Sequence, residues 1–332
     1  MKLGIAGTGI IVREVLPLLV EWGWNVTAIC GTTVGKAEAM ARAHGVPSAF
    51  GGYAAMLEQA DINTVYVAVP NFLHFDLCRK ALNAGKHVIV EKPMTSNDRE
   101  ARELAALARE KKLFLFEAIT TVYLPNYALL KTLLPRIGDV KIVTCNCSQY
   151  SRRYDAFRAG EILPVFDPKK SGGAMMDLNL YNLHWLIGLF GKPEGADYRA
   201  NVERGIDTSG VLLLQYPGFP AVSIAAKDCA APFNFVIQGT GGYIRQDSPA
   251  NACREIVLHL NDGTEEVFDE NPPNRLEPEF RAFREQIESG DHTRCYAALE
   301  HSVLVSTVQT QARLGAGIRF PADDVIPPPE TR

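Results

Sequence analysis

Two spacings of apolar residues alternate along the chain up to Thr121. Short runs rich in apolar and β-branched side chains fall at residues 3–6, 25–30, 64–69, 87–90 and 113–116. Between them, apolar positions recur every three to four residues over 10–22, 35–44, 53–60, 72–84 and 97–111. The first spacing is that of a strand and the second that of one helix face. Their alternation predicts a parallel sheet covered on both faces, because parallel strands need crossover connections. Gly45 and Gly85 stand where helices should close, and Ser96 or Asn97 can cap the charged helix that follows. Pro17, inside the first helical pattern, is expected to remove a hydrogen bond and kink the helix.

Beyond Thr121 the pattern changes. A helix is expected over 127–134, a long strand over 140–150, an irregular stretch over 151–171 and an apolar helix over 174–190. Seven strands follow at 198–204, 209–216, 220–227, 233–239, 242–246, 254–260 and 264–268, with turn residues between them. Helices over 277–288 and 297–314 close the chain, and the proline-rich tail 327–329 is expected to fray. The fold class is therefore α/β: a doubly wound parallel sheet over 1–121, then an α+β domain over 122–332 with a large, open, mostly antiparallel sheet.

Composition narrows the choice of chemistry. The 332 residues are 47% hydrophobic and 22% charged, with 34 Lys plus Arg against 38 Asp plus Glu, a net charge of −4. Nucleic-acid binding by bulk phosphate neutralisation does not fit that balance. No run approaches the ~18 consecutive apolar residues of a membrane span. The start, MKLGIAGTG, lacks the apolar core of a signal peptide, so a cytoplasmic protein is expected. Seven cysteines with no C-x-x-C pair read as buried thiols, and Cys145 and Cys147 should share one face of a strand. The seven histidines are scattered without metal-ligand spacing, so no metal site is expected.

Gly7-Thr8-Gly9-Ile10-Ile11-Val12 follows the first strand and opens the first helix. An ordinary tight turn could read the same. At the first strand–helix junction of a doubly wound domain, however, Gly7 would make the turn and Gly9 would let a pyrophosphate approach the backbone. The free N–H groups of the helix start, at Ile10 and Ile11, would receive it. Val12 stands where the fingerprint has its third glycine. About 20 residues on, an acidic side chain normally holds the ribose hydroxyls of NAD and repels a 2′-phosphate. Here the second strand runs into Cys30-Gly31-Thr32-Thr33, with no carboxylate before Glu38. Thr32, Thr33 and Lys36 could meet a phosphate instead, so the cofactor is NADP or NAD, with a slight lean to NADP.

Val69-Pro70-Asn71-Phe72-Leu73-His74 and Glu91-Lys92-Pro93 end the next two clear strands. With the glycine turn, they resemble the Gfo/Idh/MocA oxidoreductases over nearly the whole chain, a Rossmann domain followed by an open-sheet domain. The resemblance implies that Val69, Pro70, Asn71, His74, Glu91, Lys92 and Pro93 serve the cofactor site, that Lys92 is catalytic and that its peptide bond to Pro93 can be cis. A lysine at a strand's carboxyl end has physical sense as well, since an ammonium there favours a developing alkoxide.

The segment from Ser171 to His184 carries the second candidate group. At 100° per residue, Asp177, Tyr181, His184 and Gly188 share one face, with Met176, Leu180, Leu183 and Ile187 in a separate packing stripe. An amphipathic helix with a solvated face would look alike. Family members of the inositol type carry Asp-x-x-x-His with histidine as the base. Here Tyr181 takes that place, as in the branch of glucose–fructose oxidoreductase and dimeric dihydrodiol dehydrogenase. The resemblance implies Tyr181 and Lys92 as the acid/base pair, the lysine lowering the phenol from about 10. Asp177 would orient substrate hydroxyls or the lysine. Thr120, Thr121 and Val122 replace the family's aromatic and basic residues, which leaves the substrate open among polyols, sugars and cyclic diols. Arg152 and Arg153 could meet a phosphate or an acidic substrate, although a surface pair fits them better. The open sheet should be covered, as in the dimers or tetramers of the family. The rival reading is a non-catalytic dinucleotide-binding regulator, which would need neither Lys92 nor Tyr181.

Overall fold

The computed structural model describes residues 1–324, so the tail at 327–329 lies outside the described residues. Two compact units make up the chain. The first holds Met1–Thr132, Asn251–Arg254 and Phe268–Leu304, and the second holds Leu133–Ala250, Glu255–Val267 and the residues from Val305 onward.

The first unit is built on a six-stranded parallel sheet of β1 (Leu3–Ala6), β2 (Val26–Cys30), β3 (Ser48–Phe50), β4 (Thr64–Val67), β5 (His87–Glu91) and β6 (Leu115–Ala118), in the order β3-β2-β1-β4-β5-β6. Every residue of β1, β4 and β6 is buried, as expected of strands covered on both faces. Alternate residues feed two cores. Leu3, Ile5, Tyr66, Phe114 and Phe116 face one side, and Ala6, Val65, Val67 and Leu115 the other. The helix Glu277–Ser289, more than 150 residues after β6, adds Phe280 and Phe283 to the first core. Phe283 stacks on Phe116 at 4.7 Å, and Phe280 meets Trp24 edge-on at 5.7 Å. Burying each ring contributes roughly 2–3 kcal/mol, which accounts for a late segment belonging to the first unit.

Helix boundaries follow local chemistry. Asn97 Oδ1 accepts from Glu100 N at 3.0 Å, while Glu100 Oε2 accepts from the Ser96 backbone N at 3.0 Å, so Asn97 is the capping side chain of the two candidates. Gly45 adopts the left-handed conformation, φ +69°, at the end of Val34–His44. The helix Ile10–Glu21 runs on through Pro17. Pro17 lies on the exposed side, where water can serve the carbonyl it strands.

The second unit carries an eight-stranded sheet of β7 (Val140–Ser148), β8 (Gly195–Glu203), β9 (Ile206–Tyr216), β10 (Phe219–Ala226), β11 (Asn234–Gly239), β12 (Gly242–Gln246), β13 (Ile256–Leu260) and β14 (Glu265–Phe268). Its order is β14-β13-β12-β11-β7-β10-β9-β8, and the pair β7–β10 is parallel within an otherwise antiparallel arrangement. Strand β9 alternates cleanly: Leu212, Leu214 and Tyr216 are buried, whereas Val211 and Leu213 are more than 40% exposed. Cys145 and Cys147 lie on one buried face, as expected. One difference concerns residues 152–158. They form a helix, capped by Ser151, inside the stretch expected to be irregular.

Candidate active site

The first unit gathers four sequence segments at the carboxyl edge of its sheet, around the β1–β4 switch in strand order. Gly7 turns the chain out of β1 at φ +129°, so close to β4 that a Cβ would lie 2.1 Å from the Ala68 carbonyl oxygen. Only glycine fits there. Gly9 differs: it caps the helix Ile10–Glu21 with no side-chain bond, and a Cβ on it would meet nothing within 4 Å. The space over that helix start is open, with Ile10 71% exposed beside it. At the end of β2, Thr32, Thr33 and Lys36 are all exposed, and Thr33 Oγ1 accepts from Lys36 N at 3.4 Å. Its hydroxyl proton can still be donated outward. These residues fit the pyrophosphate and the phosphorylated ribose of a dinucleotide.

The edge of β4 and β5 is tied together by His74. Its ring is fully buried, with Nδ1 2.8 Å from the Pro93 carbonyl and Nε2 2.8 Å from the Val69 carbonyl. Burial pushes its pKa down. Both ring nitrogens thus face main-chain carbonyls, so His74 braces the two strand ends together. The Lys92–Pro93 peptide is cis. Met94 N donates to Glu117 Oε1 at 2.8 Å, fastening the segment to β6 as well. Between these two ties Lys92 is half-buried, as are Val69 and Asn71 near it.

Half-buried Glu91, next to Lys92, is coupled to a second carboxylate, the buried Glu279, which local sequence patterns do not reveal. Tyr66 Oη donates to Glu91 Oε1 at 2.5 Å, and Thr120 Oγ1 donates to Glu279 Oε1 at 3.1 Å. Burial first, and the neighbouring Glu91 second, raise the Glu279 carboxyl to about 8. Arg275 and the Thr120 hydroxyl pull the other way. The proton that folded Glu279 retains is lost near 4.5 once the chain unfolds. Its stabilising effect is therefore complete below about pH 4.5 and disappears as pH rises through about 8. Glu279→Gln, which cannot ionise, should accordingly gain stability relative to wild type from pH 5 to pH 8, by on the order of a few kcal/mol. Urea melts of both proteins at the two pH values test this. A difference that stays constant with pH would contradict the assignment.

In the second unit the expected helix begins with a π-helical turn, Met175–Asn179, and continues as an α-helix over Leu180–Phe190. The turn is fixed at both ends. Asp207 Oδ2 accepts from Met175 N at 2.6 Å and from Tyr198 Oη at 2.8 Å, and Gln309 Nε2 donates to Met175 O at 3.1 Å. Ser223 donates to Asn179 Oδ1, and Asn182 Nδ2 donates to Ser223 Oγ at 3.0 Å. Gly173, at φ +104°, clears the way for Asp207: a Cβ there would lie 2.1 Å from Asp207 Oδ1.

Burial corrects the expected polar face. Asp177 and Tyr181 are half-exposed, as is Gly188, but His184 is fully buried together with Asn182, Trp185 and Leu186. Tyr181, His184 and Gly188 lie in the regular α-helix, and packing on several sides of that helix is what buries His184. Asp177 forms an ion pair with Lys227, a residue at the end of β10 that sequence reading did not single out. Arg152 and Arg153 are exposed, which suits a surface pair. Among the described residues, no three His, Cys, Asp or Glu side chains are grouped to hold a metal ion, and no helix is long and apolar enough to cross a membrane.

A doubly wound sheet with an open glycine turn and a lysine at its carboxyl edge defines a nicotinamide-dinucleotide oxidoreductase. The chain belongs to the GFO/IDH/MocA oxidoreductase family. Residues 1–118 match its NAD-binding Rossmann domain, and residues 133–245 match a GFO/IDH/MocA C-terminal domain. It is 32% identical to scyllo-inositol 2-dehydrogenase (NADP(+)) IolU of Bacillus subtilis, over 90% of this chain and 92% of that protein. It is 28% identical to trans-1,2-dihydrobenzene-1,2-diol dehydrogenase of Sus scrofa, over 97% and 99%. Among solved structures it is similar to the 3-ketoreductase KijD10 of Actinomadura kijaniata in complex with NADP and TDP-benzene. That match has 25% identity and a TM-score of 0.83, and it covers 96% of this chain and 98% of the other. The protein is an NAD(P)-dependent oxidoreductase working between alcohol and ketone.

Proposed function

We propose that the protein interconverts a ring carbinol and its ketone in a cyclic polyol, sugar or diol in the cytoplasm, with NADP preferred over NAD. The observation that carries this reading is the carboxyl edge of the first sheet. There an open helix start and a carboxylate-free second strand accompany a lysine held by the His74 and Glu117 ties. The ring substrates named for the similar inositol and dihydrodiol dehydrogenases support it.

When bound, the nicotinamide supplies the hydride acceptor or donor. The chain's own work is to hold that ring and to move one hydroxyl proton. Gly7, Thr8, Gly9, Ile10 and Ile11 receive the pyrophosphate. Thr32, Thr33 and Lys36 receive the ribose phosphate, and Val69, Pro70, Asn71, Glu91 and Pro93 form the floor beside Lys92. In oxidation, Tyr181 as the phenolate takes the carbinol proton and becomes the phenol, while the Lys92 ammonium stabilises the negative charge appearing on oxygen. Asp177 accepts a hydrogen bond from a substrate hydroxyl. Residues 1–121 carry the coenzyme, and 122–332 carry the substrate and the subunit contacts.

Coenzyme fluorescence titrations with NADPH and NADH, followed by oxidation of inositols, sugars and cyclic diols, test the reading. Tighter NADPH binding and turnover of a cyclic polyol are expected. Coenzyme binding with no turnover of any alcohol or ketone would leave the regulator reading. The open face of the second sheet, with Ile142, Val211 and Leu213 exposed, supports a homo-oligomer. Sedimentation should therefore show a dimer or tetramer, and a monomer alone would remove that part.

A further inference from the structure

Lys227 has no place in the acid/base scheme, yet it is buried and clamped within the second unit. Its side chain is 5% exposed, and its ammonium is paired with Asp177 Oδ2 and lies 5.8 Å from the Phe166 ring centroid. The main chain is clamped on both sides, with Lys227 N donating to Thr208 O at 2.8 Å and Ser151 N donating to Lys227 O at 2.9 Å. The adjacent carboxylate, Asp228, is engaged elsewhere: its Oδ2 accepts from Thr208 Oγ1 and Ser209 Oγ, each at 2.7 Å. Asp177 is about a third exposed and sits on the π-helical turn, whose ends are pinned by Asp207, Gln309 and Ser223. A buried ammonium left without its carboxylate would cost several kcal/mol, so the pair is maintained by desolvation. The result is a carboxylate fixed in direction and about a third exposed.

We propose that Lys227 is a positioning residue. By fixing Asp177, it makes the site demand a second hydroxyl beside the reacting carbinol. Asp177 and Tyr181 are half-exposed four residues apart, a spacing at which helical side chains are neighbours and can meet two oxygens of one small ring. An acceptor held in place rejects a ligand lacking its donor hydroxyl far better than a mobile one does, because the carboxylate then loses water without compensation. The inference rests on the proposed alcohol–ketone chemistry for its meaning, and its test is arranged to stand apart from turnover.

The test measures trans-cyclohexane-1,2-diol against cyclohexanol with the full-length protein. Binding to the NADP complex is read by calorimetry, and kcat and KM are read separately. Wild type should prefer the diol, and Lys227→Met should lower that preference ~10–100-fold. The change should fall on diol Kd and KM, with NADP affinity and cyclohexanol kcat within about threefold of wild type. Lys227→Arg should restore most of the preference, because it keeps the charge, and Asp177→Asn should abolish it. Should Lys227→Met fail to fold, the Lys227→Arg and Asp177→Asn proteins carry the comparison. A wild type that binds both alcohols equally overturns the proposal. So does a Lys227→Met protein that keeps the preference, or that loses coenzyme and both alcohols together. If the diol is bound selectively but never oxidised, the proposed reaction fails while the role of Lys227 stands.

Discussion

Replacing Lys92 by methionine should reduce turnover by at least ~10²-fold and leave NADP(H) affinity within a few-fold of wild type. The substitution keeps a long, unbranched side chain at a half-buried position, so the His74 and Glu117 ties on either side are undisturbed. What is lost is the positive charge beside the oxygen that becomes an alkoxide in oxidation. Such charges act chiefly in the transition state, so kcat and kcat/KM should fall together while coenzyme binding persists. Coenzyme titration together with steady-state rates would show this split. A Lys92→Met enzyme with wild-type turnover would refute the catalytic assignment.

Removing one oxygen, in Tyr181→Phe, should lower kcat ~10²–10⁴-fold, the range of a positioned acid/base group. Tyr181 is half-exposed and the substitution keeps its ring, so the unfolding free energy should stay within about 1.5 kcal/mol of wild type. Groups that act as one unit lose little more when both are removed. The Lys92→Met, Tyr181→Phe double variant should therefore be only slightly slower than the poorer single variant. Fully multiplicative losses would indicate two independent roles.

The parallel sheet was legible because its strands are continuous buried runs separated by capped helices. Strand β3, Ser48–Phe50, was not: it has three half-buried residues and no room for a period to show. The helix Arg152–Arg158 escaped for a similar reason, with Phe157 as its single buried residue. Of the candidate residues, Gly7, Gly9 and Lys92 in the first unit, and Asp177 and Tyr181 in the second, each sit in a short local pattern. Asp207, Lys227 and Glu279 do not. Each reaches its partner from a strand or helix tens of residues or more away, and only the folded chain makes the pairing. His184 shows the opposite failure: the helix Leu180–Phe190 is packed on several sides, so a face read as polar from its period is buried there.

The central claim is hydride transfer between a ring carbinol and the coenzyme, and isotopic labelling addresses it most directly. A cyclic polyol deuterated at the reacting carbon would be oxidised with NADP⁺, and the reduced coenzyme examined by mass spectrometry. One deuterium per molecule of NADPH formed, with a slowed rate in wild type and almost no product from Lys92→Met, is the predicted result. Reduced coenzyme without the label, or coenzyme that binds and is never reduced by any polyol, would contradict it.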